Sequence, residues 1–212
     1  MRKTTTYHLH IKFKQLNPFK MKFAKTRLVK SPSRGTQLSA GIDFYVPKFN
    51  EHFLHDLLAK NPEIRLSTEL ETEFESSHVG DGFIVIMPHD RILIPSGIHV
   101  NFTEESKLIG SILGLSENEF GLSLNANNKS GVASKKGLSF LASVVDQDYQ
   151  NEIHINVVNT SNYPVIIKED EKLIQFLLQP VFFNKLKEVE LKNLYQSESE
   201  RGLGGFGSTD NK

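Results

Sequence analysis

Short apolar runs with a two-residue rhythm, broken by turn residues, constrain this chain more than any other feature. In TYHLHIKFKQL, Tyr7, Leu9, Ile11 and Phe13 alternate with His8, His10, Lys12 and Lys14. A strand with one buried and one wet face reads this way. NEIHINVVN repeats the rhythm through Ile153, Ile155 and Val157, and GFIVIMP, RILIPSGIHVNF, LSFLASVV, YPVIIK and KLIQFLLQPVFF are further short apolar runs. Many short strands at such spacing predict an all-β barrel or sandwich. With 212 residues the chain is long enough for one domain with a real core and short for two.

Two stretches break the rhythm. In NEHFLHDLLAKNPE, Phe53, Leu54, Leu57 and Leu58 share one helical face, Asn50 is placed to cap the start, and Asn61-Pro62 to end it. The acidic STELETEFESSHVGDG that follows reads as a loop, so residues 48–80 are expected to form a small, partly helical insertion. TEESKLIGSILGLSENEFGLS is a second excursion whose form the pattern leaves open. The expected organisation is one β-domain over 1–200, with an N-terminal extension at 1–18, then a flexible glycine-rich tail at 201–212. From about Lys185 the apolar content thins, as in a last short strand or arm.

Composition excludes some classes. Lys+Arg and Asp+Glu both count 25, so the chain has no general basic character and stable nucleic-acid binding is not expected. The absence of cysteine excludes disulfides and thiolate zinc sites. No apolar run approaches a membrane span, and no apolar stretch follows the basic N-terminus. A soluble, cytoplasmic protein without a membrane partner is the expectation.

Five short motifs carry chemistry. SVVDQDYQNEIHI places Asp146, Asp148 and Tyr149 at a hairpin tip. A carboxylate there can activate a water or hold a metal, and the ring can pack on a base or sugar; acidic turn residues alone also account for it. NNKSGVASKKGL sets Ser130 and Gly131 between Lys129 and Lys135-Lys136, which suits phosphate oxygens or a plain polar loop. AGIDFYVP puts Asp43 between apolar neighbours, and KLIQFLLQP puts Gln175 inside an apolar strand, where the amide needs partners in the backbone or a ligand. RGLGGFGST packs four glycines around Phe206, between Arg201 and Ser208-Thr209. Such a segment is costly to order until an anionic, aromatic ligand orders it. The pairs His8/His10 and His52/His55 lack a third ligand nearby and read as solvated faces.

In this order, AGIDFY, NKSGVA, VVDQDYQNEI, EDEKLIQFLL and RGLGGFGST resemble the trimeric dUTPase family, over about 19–47 and 82–209. The resemblance implies a jelly-roll-like β-barrel assembled as a homotrimer, with sites between subunits. It implies hydrolysis of dUTP to dUMP and pyrophosphate, assisted by Mg2+, limiting uracil in DNA and supplying dUMP for dTMP synthesis. Asp146 matches the catalytic aspartate that activates water, and Tyr149 the ring that packs on deoxyribose. Main-chain groups near 140–146, among them Ser143 and Val145, match the uracil reader. Lys129, Ser130, Gly131 and Gln175 match phosphate contacts. Arg201, Phe206, Gly207, Ser208 and Thr209 match a lid that closes over a neighbour's site. Asp43 matches a carboxylate that holds metal-bound water. The chain departs from the family at Lys129, where arginine is usual, and at Ser143, Asn151 and Asp170, where glycine is common. Two alternatives stay open. One is a dCTP deaminase on the same fold, with Glu152 as its base. The other is a regulatory module that binds a protein partner through 48–80.

Overall fold

A computed structural model of the chain describes residues 20–66, 77–197 and 199. The alternating segment Tyr7–Phe13, the core of the acidic loop and the five lid residues lie outside them. In chain order the elements are β1 (Lys22–Lys25), β2 (Ser33–Arg34), β3 (Ile42–Tyr45), α1 (Glu51–Lys60), β4 (Arg65–Leu66), β5 (His78–Gly80), β6 (Phe83–Ile86), β7 (Arg91–Pro95) and β8 (Ile98–Asn101). Then come α2 (Thr103–Leu113), β9 (Phe120–Asn128), α3 (Ser130–Lys136), β10 (Leu138–Phe140), β11 (Val144–Val145), β12 (His154–Asn159), β13 (Val165–Lys168) and β14 (Lys172–Phe182).

The strands form four sheets, ordered β1-β8, β10-β12-β7, β11-β9-β14-β3-β2 and β13-β6-β5-β4. All pairings are antiparallel except β4 with β5. This is the all-β architecture that the apolar rhythm predicts, and one hydrophobic core fills it. Ile155 and Val157 of β12, Ile92 and Ile94 of β7, Ile84 and Ile86 of β6, and Phe44 of β3 are all buried there. In β14 the register slips between Lys172 and Ile174. Such a bulge lets the consecutive residues Leu173 and Ile174 both turn inward.

Helix α1 forms where its apolar spacing puts it. Asn50 Oδ1 accepts the Phe53 N–H at 3.0 Å, satisfying a donor the helix itself cannot pair. Phe53 and Leu57 are fully buried in the domain core, and the Phe49 ring stacks on Phe53 at 4.8 Å. At the far end Asn61 behaves like a length of strand. Its Nδ2 donates to the Leu57 and Leu93 carbonyls, and its Oδ1 accepts the Leu93 N–H at 2.8 Å. One buried amide thus closes the helix and pairs the edge of β7. The stretch after Asn101, left open by the sequence pattern, forms α2, which ends at Gly114 in the left-handed conformation.

From Phe183 onward the chain forms a second unit. Its described part is extended, with one 3-10 turn at Leu191–Asn193 and an ion pair between Lys192 and Glu190 at 2.6 Å. Phe183, Leu186, Leu191, Leu194 and Tyr195 are exposed on it.

The burial of α1 makes a direct prediction. Phe53→Ala should cost about 3–5 kcal/mol in urea unfolding, the usual loss for a core phenylalanine. A loss below about 1 kcal/mol would place the helix outside the cooperative core.

Candidate functional site

Strand register builds the first cluster. Within the central sheet Gln175 of β14 stands opposite Asp43 of β3 on one side and Asn127 of β9 on the other. Residues distant in sequence therefore meet across three strands. Gln175 Nε2 donates to the Asn128 carbonyl at 2.9 Å, so its amide has a backbone partner. A Cβ at Gly41 would overlap the Gln175 side chain, which is why only glycine fits there. Gly41, Asn127, Asn128 and Gln175, with Ser39, Ala40 and Phe140, line a cleft of about 630 Å³; Asp43 lies outside its lining.

After Asn128 the chain turns through Lys129 into α3, a two-turn helix rather than a plain polar loop, with Ser130 and Gly131 exposed in its first turn. Lys129 Nζ reaches back to Asp43 Oδ1 at 2.5 Å, and Lys172 Nζ meets Asp43 Oδ2 at 3.0 Å. Asp43 itself is buried. Burial pushes its carboxyl up, but the hydrogen bonds and charges of Lys129 and Lys172 outweigh this and hold it below its ordinary value. The carboxylate is therefore ionised at neutral pH. Lys172 also lies 5.4 Å from the Tyr45 ring centre, a cation–π distance.

The second cluster is a hairpin whose first strand changes sheets. Leu141 N–H still bonds to Asn156 O of β12 at 3.0 Å, but the Ser143 carbonyl already accepts the Ala126 N–H of β9 at 2.7 Å. Val144 and Val145 then pair with Asn125 and Leu124. β11 thus leaves β12, and a gap of about 210 Å³ opens between them. Ala142, Ser143, Val144, Val145, Asp146 and Tyr149 line one side, with Leu93, Ile153, His154 and Phe176 around the rest. At the tip Asp146 and Tyr149 are exposed and share a turn, Tyr149 N–H to Asp146 O at 3.2 Å. Gln147 Oε1 accepts the Leu122 N–H of β9 at 3.0 Å and ties the turn to the sheet. Ser143 and Asn151 have ordinary φ angles, so their backbone does not require the glycine common in relatives. Asp170 does adopt a left-handed φ of 61°, and its carboxylate pairs with Lys48 at 2.7 Å.

Asn128 ties the first cluster to β10, the strand that leads into the hairpin. Its Nδ2 donates to Ser139 Oγ at 3.1 Å, and its Oδ1 accepts the Phe140 N–H at 3.2 Å. The two clefts share no lining residue. The structure brings Asp43, Lys129 and Gln175 into one group and Ser143, Val145, Asp146 and Tyr149 into another. Sequence reasoning missed Lys172, Asn128, Gln147 and His154. Burial and the nearby Lys60 charge hold His154 below its ordinary pKa.

Glu152 follows the hairpin and is fully committed. Its Oε1 accepts Arg27 Nε–H at 2.8 Å and Gly97 N–H at 2.6 Å, and its Oε2 accepts Arg27 Nη2–H at 2.9 Å. Burial pushes this carboxyl up, yet the Arg27 and Gly97 bonds leave it below its ordinary value. Arg27 Nη2 also donates to Asp56 Oδ2 on α1 at 2.6 Å.

The sequence model of the dUTPase family matches residues 128–210, a span that includes the hairpin and the tail motif. A deoxyuridine 5'-triphosphate nucleotidohydrolase of Hydrogenobaculum sp. (strain Y04AAS1) is 34% identical over 134 residues, 62% of this chain and 79% of that protein. The chain belongs to the dUTPase family. The namesake enzyme of Heliobacterium modesticaldum is 31% identical over 181 residues, covering 84% of this chain and 88% of its own. Among solved structures, the Staphylococcus bacteriophage 80alpha dUTPase with dUPNHPP aligns over 89% of this chain and 97% of that one. Its TM-score is 0.59 at 18% identity, which bears on the fold alone.

The Arg27 cluster gives a pH prediction. Hydrogen bonds from Arg27 and then His55 hold the Asp56 carboxyl down at about 2, against an ordinary 3.8. A depressed carboxyl stabilises the fold above its unfolded pKa and loses that contribution as pH falls through the folded one. Wild type should lose melting temperature between about pH 4 and 2, and Asp56→Asn should lose less over the same window. Equal slopes would contradict the ion pair.

Proposed function

We propose that the chain hydrolyses dUTP to dUMP and pyrophosphate, with water attacking the α-phosphorus. The observation that carries this reading is the split hairpin. Because β11 backs onto β9, its other edge faces the gap, and the main-chain groups of 142–146 that β9 and the Tyr149 turn do not use are placed to read the edge of a uracil. A base-pair-like edge suits uracil, and a tight gap disfavours the thymine methyl. At the mouth, Tyr149 offers a face to the deoxyribose, with no room for a 2′-hydroxyl. Asp146, exposed at the tip, orients the water and takes its proton.

The phosphates extend toward Lys129, Ser130, Gly131 and Gln175. Phosphoanhydride hydrolysis needs charge neutralisation and alignment more than covalent help. Asp43 fits a role toward magnesium through water. It is ionised, and each oxygen uses one lone pair on a lysine and keeps another for a metal-bound water. Bound magnesium would supply positive charge that offsets that of the phosphates. Among the described residues no group of three or more His, Cys, Asp or Glu forms a protein shell for a metal. A phage phi11 dUTPase structure concerns a structural Mg(II) ion in that protein.

A homotrimer is part of the proposal. The two clefts are separate within one copy, and the exposed apolar side chains of the arm from Phe183 call for cover by another. Arg201, Phe206, Gly207, Ser208 and Thr209 would then close a neighbour's site and exclude water. Turnover of this kind limits uracil in DNA and supplies dUMP for dTMP. Glu152 weighs against deamination: with Arg27 and Gly97 on its oxygens, it is not available to shuttle protons. A protein partner at 48–80 would meet Glu51, His52, His55, Ala59 and Lys60, the exposed residues of α1, since Phe53 and Leu57 are taken up by the core. Among the described residues no helix is long and apolar enough to cross a membrane.

With dUTP, UTP, dTTP and dCTP offered in magnesium, pyrophosphate should come from dUTP alone. Asp146→Asn should lower turnover by about 10²–10⁴-fold while calorimetry still records dUTP binding. Truncation after Gln196 should lower turnover severely and leave the trimer intact by sedimentation. Ammonia released from dCTP, or full activity in either variant, would contradict the reading.

A further inference from the structure

We infer that Arg27 is a positioning residue for the Tyr149 ring, acting through Glu152, and that α1 is part of the same support. The inference rests on the proposed dUTP site and deepens it. Arg27 is buried, with its side chain 5% exposed, and its guanidinium forks onto both oxygens of Glu152 at 2.8 and 2.9 Å. Its remaining N–H groups reach α1: Nη2 donates to Asp56 at 2.6 Å, and Nη1 meets His52 Nδ1 at 3.0 Å. Gly97 makes this approach possible. It sits at a φ of 74°, its N–H bonds to Glu152, and a Cβ there would press on Arg27 Cβ at 2.8 Å.

The link to the site runs through the main chain of Glu152. Its carbonyl accepts the Tyr149 hydroxyl at 2.9 Å, and its N–H bonds to Asn151 Oδ1 at 2.8 Å. The Tyr149 ring is otherwise 40% exposed, so this hydroxyl contact is its distal anchor. Removing Arg27 leaves a buried carboxylate with one backbone donor. Such a group must protonate or move toward water, because an unpaired buried charge is strongly unfavourable. Movement of the carboxylate toward water pulls on the Glu152 main chain, displaces its carbonyl and frees the ring. Lysine keeps the charge but not the two-pronged geometry. The ring that excludes a 2′-hydroxyl is thereby held by a cation anchored on α1.

The test compares full-length wild type, Arg27→Lys, Arg27→Met, Tyr149→Phe and the double variant Arg27→Met/Tyr149→Phe. Two readouts are hydrogen exchange of the peptide over 144–153 and kcat/KM for dUTP against UTP. Arg27→Met should speed exchange in that peptide, with β9 and β3 peptides unchanged. It should cut dUTP-over-UTP selectivity by about tenfold, mostly through KM, while kcat for dUTP falls by less than about threefold. Arg27→Lys should lie between, and Tyr149→Phe should shift selectivity the same way. The double variant should be no worse than the poorer single one, as coupled residues are. Unchanged exchange and selectivity in a folded Arg27→Met, or effects that multiply in the double variant, would overturn the assignment. If Arg27→Met does not fold, Arg27→Lys and its combination with Tyr149→Phe decide it by the same criteria. A wild type that leaves dUTP intact would sink the proposed function, and the exchange data alone would then decide the role of Arg27.

Discussion

Everything at the candidate site depends on one strand changing partners. Leu141 is hydrogen-bonded to β12 and Ser143, two residues later, to β9. A regular hairpin would pair every residue up to its turn and leave no space between its strands. Here the ladder parts, and backbone groups are left facing a small gap instead of another strand. In the function proposed above, a ligand that presents a base edge pairs with these groups where a strand would otherwise lie.

Buried charge as well as apolar packing fixes the two clusters. Glu152 is fixed by Arg27 and Gly97, and Asp43 by Lys129 and Lys172. Buried ion pairs contribute little net stability, since desolvation offsets most of the attraction. What they give is geometry: removing one partner leaves a charge that cannot stay where it is. Arg27 contacts the insertion helix as well as the hairpin end, so a segment outside the family's motifs reaches the site through one side chain. Lys129 shares the Asp43 carboxylate with Lys172, one ammonium on each oxygen.

Much of this was legible in the sequence. Alternation in NEIHINVVN located the buried Ile155 and Val157, and helical spacing with Asn50 and Asn61 located α1 at both ends. The order of motifs identified the family. Other features left no local trace. Arg27 and Glu152 are 125 residues apart, and nothing near either foretells the other. The lysines on Asp43 and the amide of Asn128 act across sheet register, which no window of sequence contains. NNKSGVASKKGL folds as a helix because Gly137 can end it in the left-handed conformation, a stop that polar composition concealed. Asp170 occupies a backbone conformation suited to glycine, tolerable because aspartate visits it more readily than most residues.

The most direct test is a crystal structure with a non-hydrolysable dUTP analogue. The account predicts uracil in the gap between β11 and β12, hydrogen-bonded to main chain of 142–146, with the Tyr149 ring against the deoxyribose and Asp146 facing the α-phosphorus. A nucleotide bound elsewhere, with that gap closed or empty, would contradict it.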